Sequence, residues 1–281
     1  MNTKTLFLIS GLIASLDSIS AVRVTAQTFT TLHSFAPLIP VLTNSAGTVR
    51  HDNSDGAHPD ADLILSGNTL YGTGWDGGSS NAGTVFKLNT DGTGFTALHS
   101  FTAIGAGGTN SDGANPTAGL FFSGGILYGP TYFGGASGNG ALFAVNTNGA
   151  GFTNLHSFTL GTGDVEPVNS DGANPYAGLV LSGNTLYGTA QVGGSSRSGT
   201  IFSLSLPRPR LTITPSGANA VLTWPTSTPG SGYAGYTLQS TTNLGSPVIW
   251  STNSPTPFVV NGQFAVTNPI SSPPKFYRLS Q

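Results

Sequence analysis

The 281-residue chain has no cysteine, which excludes disulfide frameworks, thiolate nucleophiles and thiolate metal sites. Its stability therefore rests on packing. Charge is almost as scarce: 7% of residues are Asp, Glu, Lys or Arg, and Glu166 is the single glutamate. Long surface helices draw on those side chains, so a helical architecture is not expected. A glycosidase carboxylate pair would need at least one Asp, and nothing in the sequence singles one out. Neither a Gly-x-Ser-x-Gly elbow nor His-Glu-x-x-His is present. Gly-x-Gly-x-x-Gly occurs at 72–77 and 230–235, but neither copy opens a helix in a βαβ unit. In a chain with 40 glycines such matches arise by chance. No cofactor is implied.

Apolar runs are short. The longest, Leu6 to Leu16, follows Lys4 and is closed by Asp17, too short to span a bilayer. With Val24 and Ala26 ahead of Gln27, residues 1–26 have the layout of a secretory signal cleaved after Ala26, or alternatively after Ala21. No later segment is long and apolar enough to cross a membrane, so a secreted or cell-surface protein is expected.

Charge is unevenly placed. Residues 27–206 hold ten acidic residues against Arg50, Lys87 and Arg197, a net charge of −7. Residues 207–281 hold Arg208, Arg210, Lys275 and Arg278 and no acid. Neither part offers the clustered basic face that phosphate neutralisation requires, which argues against nucleic acid as a partner.

What is abundant is repetition. Leu-His-Ser-Phe occurs at 32–35, 98–101 and 155–158, Asn-Ser-Asp-Gly-Ala at 53–57, 110–114 and 169–173, and Leu-Tyr-Gly at 70–72, 127–129 and 186–188. A glycine pair follows each Leu-Tyr-Gly, at Gly77-Gly78, Gly134-Gly135 and Gly193-Gly194. Four short strands can be read in each unit. An apolar run (Leu63–Leu65 and its copies) turns at Gly67-Asn68, Gly124-Gly125 or Gly183-Asn184 into the strand holding Leu-Tyr-Gly. A third strand alternates, with Phe86 and Leu88, Phe143 and Val145, and Phe202 and Leu204 on one face. The fourth ends in Leu-His-Ser-Phe.

Four antiparallel strands per repeat is the pattern of a β-propeller blade. The expected fold is all-β, a propeller-like array of three four-stranded blades over 27–206. The third copy lacks a fourth strand because Leu206 runs into the linker Pro207–Arg210, while a fourth-type strand, Thr28 to Phe35, stands at the mature N-terminus. That strand could complete the third blade. A three-bladed ring, an open curved array, and self-association of two chains into a larger ring all remain open.

The string Asn-Pro-Tyr-Ala-Gly-Leu-Val-Leu-Ser-Gly-Asn-Thr-Leu-Tyr-Gly-Thr at 174–189, with Gly-Thr-Val-Phe-Lys-Leu-Asn-Thr-Asp-Gly at 83–92, resembles the GloVer tandem repeat of bacterial "choice-of-anchor" proteins. The resemblance covers roughly 28–205 and implies an exported bacterial protein, often surface-attached, with no established activity. The chain departs from that pattern in lacking a hydrophobic C-terminal anchor with a basic tail.

Residues 211–281 carry seven short apolar or β-branched runs, from Leu211–Thr214 to Phe276–Leu279. This spacing suggests a small β-sandwich with Trp224, Tyr236 and Trp250 as its core aromatics. It is similar to fibronectin type III-like modules, with an accessory or attachment role.

Asp55, Asp112 and Asp171 invite a calcium reading, but each copy supplies one carboxylate and Asp-Gly is a common turn. No metal is assigned. His33, His99 and His156 are read as packed or hydrogen-bonded, and His51 and His58 have no copies. Tyr71, Tyr128 and Tyr187 could supply stacking faces for a sugar ring, against a role in blade packing. These residues suit a non-enzymatic extracellular binding or structural protein, with polysaccharide or a cell-surface component as partner. The alternative is a secreted glycan-active hydrolase with an Asp-lined propeller site; no catalytic residue is assigned.

Overall fold

The computed structural model describes residues 27–42, 49–162, 168–228, 230–233, 235–252, 255–270 and 273–280. The expected signal sequence, Asp164 and Glu166 lie outside the described residues. Gln27–Thr31 are exposed and without regular structure, and Leu32–Gln281 form one compact unit. Regular structure among the described residues is strand, apart from a single 3-10 turn at Gly78–Ser80. No helix among them is long and apolar enough to cross a membrane.

A hairpin that the sequence pattern did not suggest, β1 (Ile39–Leu42) and β2 (Val49–Asp52), comes first. Repeat 1 is an antiparallel sheet of β3 (Ile64–Ser66), β4 (Thr69–Gly74), β5 (Thr84–Asn89) and β6 (Thr96–Ser100), paired in that order. Repeat 2 repeats the order with β7 (Phe121–Ser123), β8 (Ile126–Thr131), β9 (Ala141–Asn146) and β10 (Thr153–Ser157). Repeat 3 has β11 (Ala173–Pro175), β12 (Val180–Ser182), β13 (Thr185–Val192) and β14 (Thr200–Ser205). Here β13 lies between β12 and β14, and β11 joins the far end of β13, where repeats 1 and 2 have only the bridges Ala57–Asp76 and Ala114–Phe133.

The register explains Leu-Tyr-Gly. Gly72, Gly129 and Gly188 stand opposite Phe86, Phe143 and Phe202. A Cβ on Gly129 would lie 2.7 Å from the Phe143 ring, so the glycine lets the phenyl lie across the neighbouring strand. That ring then meets the last residue of Leu-His-Ser-Phe from the preceding unit: Phe35 on Phe86, Phe101 on Phe143 and Phe158 on Phe202, with centroids 5.2–5.3 Å apart.

The core is built between repeats. One face of repeat 1 (Ile64, Tyr71, Val85) packs against Leu120, Phe122 and Leu127 of repeat 2. The same face of repeat 2 (Phe121, Tyr128, Leu142) packs against Leu179, Leu181 and Leu186 of repeat 3. Repeats 1 and 2 thus each bury an apolar face on the next, the nearest-neighbour logic of repeat proteins.

The N-terminal Leu-His-Ser-Phe does not complete repeat 3. Residues 27–38 form no strand, and His33 and Phe35 seat on repeat 1, the imidazole stacked on Phe95 at 3.8 Å and the phenyl on Phe86. Inside the chain a fourth strand does two things, as β6 shows by pairing with β5 while Phe101 seats on Phe143 of the next repeat. The N-terminal segment makes the second contact, Phe35 on Phe86, without the first, and β14 pairs with β13 alone among the described residues.

The C-terminal region contains β15 (Thr212–Ser216), β16 (Asn219–Pro225), a short hairpin of β17 (Ser227–Thr228) and β18 (Ser231–Gly232), β19 (Thr237–Thr241), β20 (Ser251–Thr252), β21 (Phe258–Val260), β22 (Gln263–Pro269) and β23 (Phe276–Ser280). Sheets β15-β16-β22-β21 and β20-β19-β23 share one core of Leu222, Trp224, Leu238 and Val266. Of the expected core aromatics, Trp224 is buried there. Trp250 is half-buried beneath the Arg278 guanidinium, 4.5 Å from its ring. Tyr236 leaves this core, and its hydroxyl donates to Asn184 Oδ1 in repeat 3. A free hydroxyl in an apolar core would lack a partner, whereas the side of repeat 3 supplies one.

Candidate functional site

Asn-Ser-Asp-Gly is a latch between units. Asn110 Oδ1 accepts from the amides of Gly113 and Gly135, and its Nδ2 donates to the carbonyls of Gly113 and Thr102. All four of its hydrogen-bonding positions are used. Asn53 and Asn169 repeat the pattern. Gly113 has φ 89°, a left-handed turn that glycine adopts without strain.

Each Asp of the motif meets the histidine of the preceding unit. His33, His99 and His156 Nε2 donate to Oδ2 of Asp55, Asp112 and Asp171 at 3.2, 2.9 and 2.8 Å. The same oxygens accept the amides of Ala36, Thr102 and Thr159. Oδ1 of Asp112 and Asp171 also takes the Thr102 and Thr159 hydroxyls. Burial pushes both carboxyls up, but the bonds from His99 and Thr102, and from Thr159 and His156, outweigh it and hold them below the usual value. The three aspartates therefore sit at three separate junctions, each with its own histidine. Among the described residues no group of three His, Asp or Glu side chains is placed to hold a metal ion.

Tyr71 and Tyr128 are buried between repeats, and Tyr187, at the end of the array, is exposed. Burial raises the Tyr128 hydroxyl to about 12, against a partial offset from the Gly232 backbone.

The three repeats converge elsewhere. The segments leading into the first strand of each unit, Asp60-Ala61-Asp62, Thr117-Ala118-Gly119 and Tyr176-Ala177-Gly178, together line a cleft of about 310 Å³. They touch in succession: a Cβ on Gly119 would lie 3.1 Å from Asp62 Cβ, and one on Gly178 would lie 3.6 Å from the Gly119 carbonyl. From Tyr176 at the cleft an aromatic row leads outward to Tyr132 at 6.0 Å and on to Trp75 at 6.1 Å, flanked by Phe133. Phe133 and Tyr176 are exposed, and Trp75 and Tyr132 half-buried. The rings meet at 46° to 88°, making a faceted cup.

Polar groups fix this cup. Asn115 and Asn174 Nδ2 donate to the Trp75 and Tyr132 carbonyls of the preceding repeat, both at 2.9 Å. The Tyr132 hydroxyl donates to Gln191 Oε1. At the rim His58 Nδ1 lies 2.7 Å from Asp76 Oδ1, and that bond and the aspartate's charge raise the imidazole's pKa. A cavity of about 390 Å³ in the C-terminal region is lined, among the described residues, by Ile213, Pro269, Ile270 and Tyr277 with Lys275 as the one charged side chain. It lacks the several convergent polar groups of a specific site.

The model of the Gloeobacter/Verrucomicrobia repeat matches residues 23–245. The chain belongs to the Gloeobacter/Verrucomicrobia repeat family. The family match runs past Pro207 and takes in the β17–β18 hairpin, which lies against repeat 2: a Cβ on Gly124 would be 3.2 Å from the Gly232 carbonyl. No curated protein matches the chain. Among solved structures it is similar to a nidogen/laminin complex, at 18% identity and TM-score 0.33 over 68% of this chain. It is also similar to TolB from Acinetobacter baumannii (13%, 0.31, 66%) and to the Bacteroides ovatus xyloglucan PUL GH43B (14%, 0.28, 74%). The chain spans 65%, 45% and 43% of those three chains.

Within this Gloeobacter/Verrucomicrobia repeat chain, the repeat pattern does not mark the aromatic cup. Trp75, Tyr132 and Gln191 are equivalent positions, as are Asp60, Thr117 and Tyr176. Attention to repeated residues passes over them. The usable signal is the reverse one, large or charged side chains where aligned copies disagree.

Proposed function

We propose that the chain is an exported, non-enzymatic binding protein whose repeats form a propeller-like array that grips a neutral polysaccharide. On this reading, the C-terminal region, fibronectin type III-like in its strand spacing, is an accessory or attachment module. The observation that carries this reading is the aromatic row Trp75–Tyr132–Tyr176 ending in a cleft with Asp60, Asp62 and Thr117. A pyranose ring has an apolar C–H face and a rim of hydroxyls. It therefore pairs with aromatic faces on one side and carboxylate or hydroxyl acceptors on the other. The net charge of −7 over residues 27–206 disfavours anionic glycans and nucleic acids.

The test is titration of the chain from Gln27 onward with a panel of neutral polysaccharides, followed by calorimetry or tryptophan fluorescence. Binding is expected, with Trp75→Ala and Tyr176→Ala each weakening it about tenfold or more. Absence of binding to every glycan overturns the reading. Release of reducing ends that stops in Asp60→Asn or Asp62→Asn would replace it with the hydrolase alternative, since those two carboxylates share the cleft.

A further inference from the structure

The two ends of the repeat array are unlike each other and match the two halves of its internal junctions. On repeat 3, Ile201 is 86% exposed where its equivalents Val85 and Leu142 are fully buried, and Tyr187 is 43% exposed where Tyr71 and Tyr128 are 7% and 2%. On repeat 1, Leu63 is 53% exposed where Leu120 and Leu179 are 7%. Inside the chain, the first set of positions packs on the second at each junction.

The strand inventory is complementary in the same sense. Repeat 3 ends at β14, whose outer edge is unpaired among the described residues. Repeat 1 carries a seated Leu-His-Ser-Phe at 32–35, held by Asp55, Phe86 and Phe95 as the fourth strand of a preceding repeat is held.

We propose that the chain associates head to tail with a second copy of itself. Repeat 3 of one copy is covered by repeat 1 of the next, whose Leu32–Phe35 segment completes the sheet on β14. This joins unlike surfaces, a heterologous interface, which closes into a ring when the rotation permits. Two copies supply six repeats, within the range at which blade arrays close. The proposal goes beyond the glycan reading and does not depend on it.

Light scattering on the chain from Gln27 onward is expected to give twice the chain mass at micromolar concentration, and a monomer at all concentrations overturns the proposal. Ile201→Asp, at a position exposed in the single chain, is expected to give a folded monomer by circular dichroism. Val259→Asp, at an exposed position on β21, is expected to leave the mass unchanged. A dimer that persists in Ile201→Asp overturns the assigned surface. Absence of cysteine permits a second measurement. By the register of Lys87 with Thr96 in repeat 1, Ser203 of one copy faces Thr30 of the other. A mixture of Ser203→Cys and Thr30→Cys chains is expected to form a one-to-one disulfide-linked dimer under mild oxidation. No crosslink in the mixture, or closure within one chain in the double variant, counts against the proposal.

Discussion

The three junction aspartates differ by one atom's worth of satisfaction. Asp112 and Asp171 have both oxygens bonded, whereas Asp55 Oδ1 is buried without a partner. The cause is local: Ala36 stands where Thr102 and Thr159 stand in the other copies, supplying the amide to Oδ2 but no hydroxyl to Oδ1. A buried carboxylate oxygen left dry costs more than a bond made elsewhere gains. Ala36→Thr is therefore expected to stabilise the chain by about 1 kcal/mol. Thr102→Ala should destabilise it by a similar amount. Urea unfolding of both variants at pH 7 checks the pair, and a neutral Ala36→Thr would mean that water already serves Asp55.

At the scale of the strand, the glycine of Leu-Tyr-Gly sets how closely β4, β8 and β13 can carry the phenyl of their neighbour. Phe143 is fully buried in the middle repeat and cannot swing away, so the 2.7 Å approach in Gly129→Ala has to be absorbed by backbone. A loss of about 1–3 kcal/mol is expected from such overpacking. Gly188→Ala meets Phe202 at 2.5 Å, but that ring lies at the partly exposed end of the array and can shift, so the cost should be smaller. Thermal melts of the two variants decide the order. The strands were legible because glycine pairs and alternating Phe-x-Leu patterns punctuate them, and six of the seven C-terminal runs correspond to observed strands; of Val248–Ser251 only Ser251 lies in one, β20. The His–Asp pairing was not legible. His99 and Asp112 are 13 residues apart in two different motifs, and only the docking of one unit on the next brings them together. For Leu32–Phe35 the strand count points to pairing beside β14, whereas the segment seats His33 and Phe35 on repeat 1 and forms no strand. The aromatic cup escaped because repeats advertise what holds them together, while Trp75 and Tyr176 occupy positions where the copies differ.

Across the whole molecule, the C-terminal region is tied to the repeats by tyrosines. Tyr233 is buried and its hydroxyl donates to the Pro207 carbonyl, Tyr236 bonds Asn184, and Tyr128 of repeat 2 lies under Gly232. Burial favours the neutral form of Tyr128, whose pKa folding raises from 10.0 to about 12. Below pH 10 both folded and unfolded chains keep this proton, and its contribution to stability is fully present. As the pH climbs past 10 the unfolded chain releases the proton first. Stability therefore falls until the folded chain also titrates near 12, a loss on the order of 1–2 kcal/mol from this group. Burial raises Tyr236 and Tyr277 as well, so they add to the same alkaline slope. Tyr128→Phe keeps the packed ring and removes the ionisation. It should flatten the decline of the unfolding midpoint between pH 10 and 12 while leaving the midpoint at pH 8 within a few degrees of the parent chain. If the slope is unchanged in Tyr128→Phe, the joint between repeat 2 and the β17–β18 hairpin opens before the hydroxyl titrates, and the seam is weaker than its burial suggests.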